Sequence, residues 1–232
     1  MTAPNPKAIQ AKKNGTAAEC YLYGDIGGWE GITADAFRQA IEGLGEFSSL
    51  TMYVNSPGGS VFDGKAICAQ LERIRTRAKV HAVVDGLAAS AASFIAIACD
   101  DVAMHPTAKM MIHQPQAFAA GSAEDLRKMA ELLDSESETL VDIYVKKCGA
   151  SADQVRAWLA AETWFTAEEA VKNGLADSVV GEKAPRNQAP DSTFQNLVAA
   201  TRSMTDQRRV ALWRAQRTVE AMRAKHPRSS TT

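Results

Sequence analysis

Two short segments carry residue types suited to nucleophilic chemistry. Ser90 stands in Gly-Leu-Ala-Ala-Ser-Ala-Ala-Ser (86–93), and His113 stands 23 positions on, in Met-Ile-His-Gln-Pro (111–115). A serine hydroxyl attacks a carbonyl only when a base takes its proton, and imidazole, titrating near neutrality, can be that base. Small neighbours let a substrate carbonyl come within about 3 Å of the hydroxyl. The apolar stretch after Ser90 reads as a helix whose first N–H groups lack partners inside the helix and can face a developing oxyanion. Pro115 disfavours helix in the residue before it, which suits a strand end beside His113. Ser93, on roughly the same helical face as Ser90, is read as a small packing residue. His81 and His105 lack a comparable setting, and His226 lies in the polar tail.

The elements around these residues alternate. Cys20–Gly24, Leu50–Val54, Val80–Val84, Asp101–His105, Lys109–His113 and Ala176–Val180 read as strands. Helices are expected from Thr33 to Gly43, about Val61 to Ile74, Ala88 to Ala98, Ser122 to Lys147, Ser151 to Leu159 and Ala167 to Asn173. The helix over 88–98 is apolar nearly all round and should be buried. Strands alternating with helices imply an α/β fold with a parallel sheet and right-handed crossovers.

Two further motifs flank the Ser/His pair: Tyr-Val-Asn-Ser-Pro-Gly-Gly-Ser-Val (53–61), and Trp-Phe-Thr-Ala-Glu-Glu-Ala-Val-Lys-Asn-Gly-Leu-Ala-Asp (164–177). In this order the four motifs resemble the ClpP family of serine peptidases over roughly residues 19–181, and the subtype resembles the ClpP-related head-maturation proteases of tailed phages and prophages. The resemblance implies a ClpP/crotonase-like fold, Ser90 as nucleophile and His113 as base. It implies an oxyanion hole from the N–H groups of Gly58 and Ala91. It also implies a substrate strand added beside the loop at Gly59 and Ser60, a sequence-tolerant mode of peptide recognition. Ala91 replaces the family's usual methionine, a change that keeps the backbone donor. The family's acidic third residue aligns with Thr163, which can orient an imidazole but cannot stabilise imidazolium by charge. Glu162, next to it, could supply that charge, and a group from elsewhere in the fold is a third option. The resemblance further implies homo-oligomeric rings, stacked through the helix at about 122–147.

Composition sets the remaining bounds. The chain has 232 residues, 46% of them hydrophobic, and a net charge of −1. Residues 191–228 hold eight Lys/Arg against three acids, so this segment carries +5 and the remainder −6. The expected organisation is a flexible arm (1–17), the protease domain (18–181), a linker (182–190) with two prolines, and a basic helical extension (191–232). Cys20, Cys68, Cys99 and Cys148 have no paired spacing, which favours free thiols over disulfides or a metal site. No cofactor or metal is expected. The N-terminus has no apolar signal core, and no apolar run is long enough to span a bilayer. The basic segment has little aromatic interleaving apart from Trp213, so nucleic acid is not the expected partner.

The family's N-terminal segment that grips an AAA+ unfoldase is not recognisable ahead of Cys20. With the basic extension, that departure points to an ATP-independent serine endopeptidase, cytoplasmic in the host or enclosed in a prohead, cleaving phage capsid or scaffold proteins. The alternatives are a Clp-type proteolytic subunit served by an unfoldase, a catalytically silent ring-forming assembly protein, and acyl-CoA chemistry of the crotonase type. The Ser/His pair and the Asn-Ser-Pro-Gly-Gly motif speak against the last.

Overall fold

The computed structural model describes residues 9–28 and 31–181. The expected linker (182–190) and basic helix (191–232) lie outside the described residues, as do residues 1–8 of the expected arm.

The chain forms strands β1 (Gln10–Asn14), β2 (Ala17–Tyr23), β3 (Ser49–Ser56), β4 (Lys79–Ala89), β5 (Asp101–Met104), β6 (Lys109–Ile112), β7 (Thr163–Thr166) and β8 (Ser178–Val179). Between them run helices α1 (Ala34–Glu42), α2 (Val61–Arg75), α3 (Ala91–Ile97), α4 (Ala123–Cys148), α5 (Ala152–Ala161) and α6 (Ala167–Lys172). The sheet order is β1-β2-β3-β4-β5-β8, with β6 paired to β4 and β7 paired to β6. The β2–β3, β3–β4, β4–β5, β4–β6 and β5–β8 pairs are parallel. This bears out the α/β expectation.

The antiparallel pairs are the departures. Residues 10–14 form β1, hydrogen-bonded along β2 with Gln10 opposite Tyr21, where a flexible arm is expected over 1–17. Gly15, at φ +60, makes the tight turn, and Lys12 pairs with Glu19 across the hairpin at 2.9 Å. Polar strands hide their periodicity because a solvent-facing hairpin needs no apolar alternation. The other antiparallel pair, β6–β7, sets Thr163 opposite Ile112.

β4 is the strand on which the site depends. Its first half, His81–Val84, pairs with β5, and its second half, Leu87–Ala89, pairs with β6. A register shift between Val54 and Ser56 on β3 accompanies the change. The strand therefore runs on to Ala89, and the helix expected from Ala88 begins at Ala91. Short apolar residues fit a strand buried on both faces as well as a buried helix, so composition alone did not separate the two.

The core lies between this sheet and its helices. α3 is buried at every residue. α2 is capped by Ser60, whose hydroxyl accepts from Asp63 N, and buries Ile67, Leu71 and Ile74. Gly64 lets α2 approach α3 closely, since a Cβ there would lie 2.7 Å from the Phe94 ring. α4 starts in a Ser122/Asp125 capping box and ends at Gly149 in the left-handed conformation. Its buried residues are Leu140, Val141 and Tyr144, all in its second half. Fully burying a side chain such as Phe37 or Leu71 contributes about 1.5–3 kcal/mol.

Candidate active site

Adjacent parallel strands deliver the two candidate groups. β4 and β6 run side by side with Ala89 opposite Met111, so the residues just beyond their ends, Ser90 and His113, emerge together. The Ser90 N–H donates to Met111 O at 2.8 Å and fastens the turn to β6. His113 Nε2 lies 2.8 Å from Ser90 Oγ. In that arrangement the hydroxyl donates to Nε2, and the imidazole carries its own proton on Nδ1.

Ser90 sits at φ 52, ψ −123, a region that L-residues rarely adopt. Such backbone costs about 1–3 kcal/mol and is kept only where neighbours over-determine it. The strained turn ends β4, points the hydroxyl at His113 and starts α3, whose Ala91 N–H lies at the open helix terminus.

Gly58 closes the site from the other side. It has φ +90, and a Cβ there would lie 2.5 Å from Ala89 O, 2.7 Å from Ser90 Cβ and 2.8 Å from Ala91 N. Only glycine permits that approach. Its N–H, expected in the oxyanion hole, is engaged: it donates to the buried Ser56 Oγ at 3.1 Å. At the neighbouring turn position, Ile26 N donates to Gly58 O at 2.7 Å and Ser60 N donates to Ile26 O at 2.8 Å. This is a parallel bridge in which Gly59 presents its own N–H and C=O to the side away from Ile26. The Ser60 N–H is bound internally to Ile26 O, and its hydroxyl caps α2 by accepting from Asp63 N.

The expected third residue divides between its candidates. Thr163 Oγ1 donates to Trp158 O at 2.8 Å, so its proton ties β7 to α5. Glu162 occupies the left-handed conformation (φ 50) at the end of α5, the only described non-glycine residue with positive φ besides Ser90. Burial lowers the imidazole's pKa below its ordinary value, and the Glu162 charge opposes that shift. Trp164 Nε1 donates to Glu162 Oε1 at 3.4 Å. Unforeseen in the sequence, the Gln116 side-chain amide lies 3.3 Å from His113 Nδ1. The facing amide atom is Nε2, which only donates, so with a proton on Nδ1 the amide must turn over to accept through its oxygen.

The chemistry such a site supports is acyl transfer: a hydroxyl held by a base, small residues around it, and backbone donors at a helix start. The Clp protease family model matches residues 39–183, which spans the turn, the Ser/His pair and β7. The chain belongs to the Clp protease family. It is 35% identical over 140 residues to the ATP-dependent Clp protease proteolytic subunit 2 of Nocardia farcinica (strain IFM 10152), covering 60% of this chain and 68% of that protein. It is 32% identical over 137 residues to the ATP-dependent Clp protease proteolytic subunit 2 of Rhodococcus jostii (strain RHA1), covering 58% of this chain and 69% of that one. As a Clp protease family member the chain is a serine-type endopeptidase. Among the described residues, no helix is long and apolar enough to cross a membrane.

The four cysteines are free thiols. Burial pushes the Cys20 and Cys68 pKa values up to about 12, far from the thiolate form that nucleophilic cysteines need.

Proposed function

We propose that Ser90 and His113 hydrolyse peptide bonds in extended segments of protein substrates within a homo-oligomeric ring. The 2.8 Å Ser90–His113 contact at a strained strand-to-helix turn carries this reading. Ser90 Oγ attacks the scissile carbonyl carbon while His113 Nε2 takes its proton. The carbonyl oxygen becomes an oxyanion facing the Ala91 N–H and the Gly58-Gly59 turn, where the Gly59 N–H is the open donor and the Gly58 N–H is shared with Ser56. Collapse breaks the C–N bond, and the imidazolium returns its proton to the leaving amine. Water then attacks the acyl-serine with His113 again as base, releasing the acid and the free hydroxyl. Glu162 supports the imidazolium by charge. A substrate strand laid along the outward backbone of Gly59 is bound through main-chain hydrogen bonds, and so with little demand on sequence.

For the substrate, we propose head proteins of a phage or prophage, capsid or scaffold, cleaved without an ATPase in the host cytoplasm or inside the prohead. The +5 charge of residues 191–228, beyond the matched family region, supports this as an added assembly segment. A second reading, a proteolytic subunit served by an AAA+ unfoldase, is supported by the names of both relatives, ATP-dependent Clp protease proteolytic subunits.

Fluorophosphonate labelling of purified protein, with the labelled residue mapped, tests the site. Ser90 should be labelled, and a label elsewhere overturns the assignment. Incubation with a folded and an unfolded test protein, with and without an unfoldase and ATP, tests the rest. Cleavage of unfolded protein that is unaffected by ATP favours the head-protein reading. Degradation of folded protein only with unfoldase and ATP favours the second.

A further inference from the structure

Ser93 does more than fill space. Its Oγ lies 2.6 Å from Ser90 O and 2.6 Å from Tyr144 Oη. A serine hydroxyl has one proton, and the carbonyl can only accept, so Ser93 donates to Ser90 O and accepts from Tyr144. The Ser93 N–H also donates to Ser90 O at 3.0 Å. Ser93 is fully buried, and Tyr144, on α4, is 1% exposed. A directed chain of hydroxyls thus runs from the second half of α4 to one carbonyl.

That carbonyl belongs to the peptide unit whose other end is the Ala91 N–H. The peptide is planar and trans, so its C=O and N–H point in opposite directions and turn as one body. Holding the Ser90 C=O with two donors fixes where the Ala91 N–H points. Hydrogen bonds to the carbonyl also polarise the amide and strengthen its N–H as a donor. The plane needs such a hold, because Ser90 lies in strained backbone that would relax without it.

We propose that Ser93 and Tyr144 are positioning residues that orient and polarise the Ala91 N–H toward the oxyanion. The inference rests on the Ser90/His113 reading above. It makes the oxyanion donor depend on α4 through Tyr144.

The test uses Ser93→Ala, Tyr144→Phe and the double variant of the full chain, with Ser90→Ala as control. Tyr144→Phe removes one oxygen and leaves Ser93 bonded to Ser90 O, so it folds even if Ser93→Ala is weakened. Steady-state cleavage of a small peptide should show kcat reduced about 10-fold for Ser93→Ala and a few-fold for Tyr144→Phe, with KM unchanged. The double variant should be no worse than Ser93→Ala, since the chain acts through Ser93. Affinity for a peptide aldehyde, whose serine adduct carries an oxyanion, should fall in step with kcat. Affinity of the matching peptide alcohol, which forms no adduct, should stay constant. Wild-type kcat and aldehyde affinity in both variants overturn the inference, as does a loss of aldehyde and alcohol affinity in parallel, which marks a structural defect. If Ser90→Ala retains activity, the site reading itself falls. If Ser90→Ala is inactive while the Ser93 and Tyr144 variants behave as wild type, only this inference falls.

Discussion

His113 Nε2 sits 2.8 Å from Ser90 Oγ across 23 residues of chain because β4 and β6 end side by side. The hydroxyl and its base are each held by a strand end rather than by a mobile loop, so the pair is in register before substrate arrives.

Ser90→Ala is expected to abolish peptidase activity with little change in melting temperature, because losing one oxygen beside small residues leaves almost no cavity. His113→Ala should cost about as much rate, and the double variant little more, since the two act as a unit. Turnover of a fluorogenic peptide and thermal unfolding measure both. Additive losses in the double variant would show two independent residues.

Glu162→Gln should lower kcat by about 10-fold or more while leaving KM similar, because it removes the charge that favours imidazolium. Thr163→Val should instead cost about 1 kcal/mol of stability, through the lost bond to Trp158 O, with little effect on rate. Steady-state kinetics paired with denaturant unfolding separates the two. The reverse pattern would return the orienting role to Thr163.

The pH dependence has a definite sign. Burial lowers the His113 pKa, so the neutral, base-competent imidazole persists below its ordinary value of about 6.5. The acid limb of kcat/KM should lie below that pH, with activity lost only as pH falls through the lowered pKa. Glu162 raises the pKa, so Glu162→Gln should move the acid limb to still lower pH. A pH–rate profile of both proteins checks this; an upward move in the variant would contradict the charge relationship.

Gly58→Ala should reduce activity by roughly 100-fold or more, since its Cβ would press on Ala89 O, Ser90 Cβ and Ala91 N and displace the reacting groups. Gly149→Ala offers the contrast. It also has positive φ, at +69, but no atom within 4 Å of the added Cβ, so it should cost about 1 kcal/mol of stability and no activity. Equal effects of the two on turnover would mean that φ strain, not the close approach, is what matters at Gly58.

Sequence alone marked the candidate residues and the order of most elements, but not strands β1 and β7. Ser90 between alanines, His113 ahead of Gln114-Pro115, and the Gly58-Gly59 turn are local patterns, and local patterns survive in one dimension. Helices such as α2 and α4 are legible for the same reason, through apolar residues at helical spacing such as Ile67, Leu71 and Ile74. What only the tertiary structure decided depends on partners far apart in the chain. The boundary between β4 and α3 shifted because Leu87–Ala89 finds β6 as a neighbour, a pairing that overrides the helical look of small residues. The surroundings of the two third-residue candidates come from the fold as well: the Thr163 proton goes to Trp158 O, and Glu162 sits in a left-handed turn at the end of α5. The bond from Tyr144 to Ser93 joins residues 51 positions apart, and no periodicity or motif marks it. Orientation of a hydroxyl or a peptide plane is set by whatever lies across the fold, and that information enters only when the chain has closed on itself.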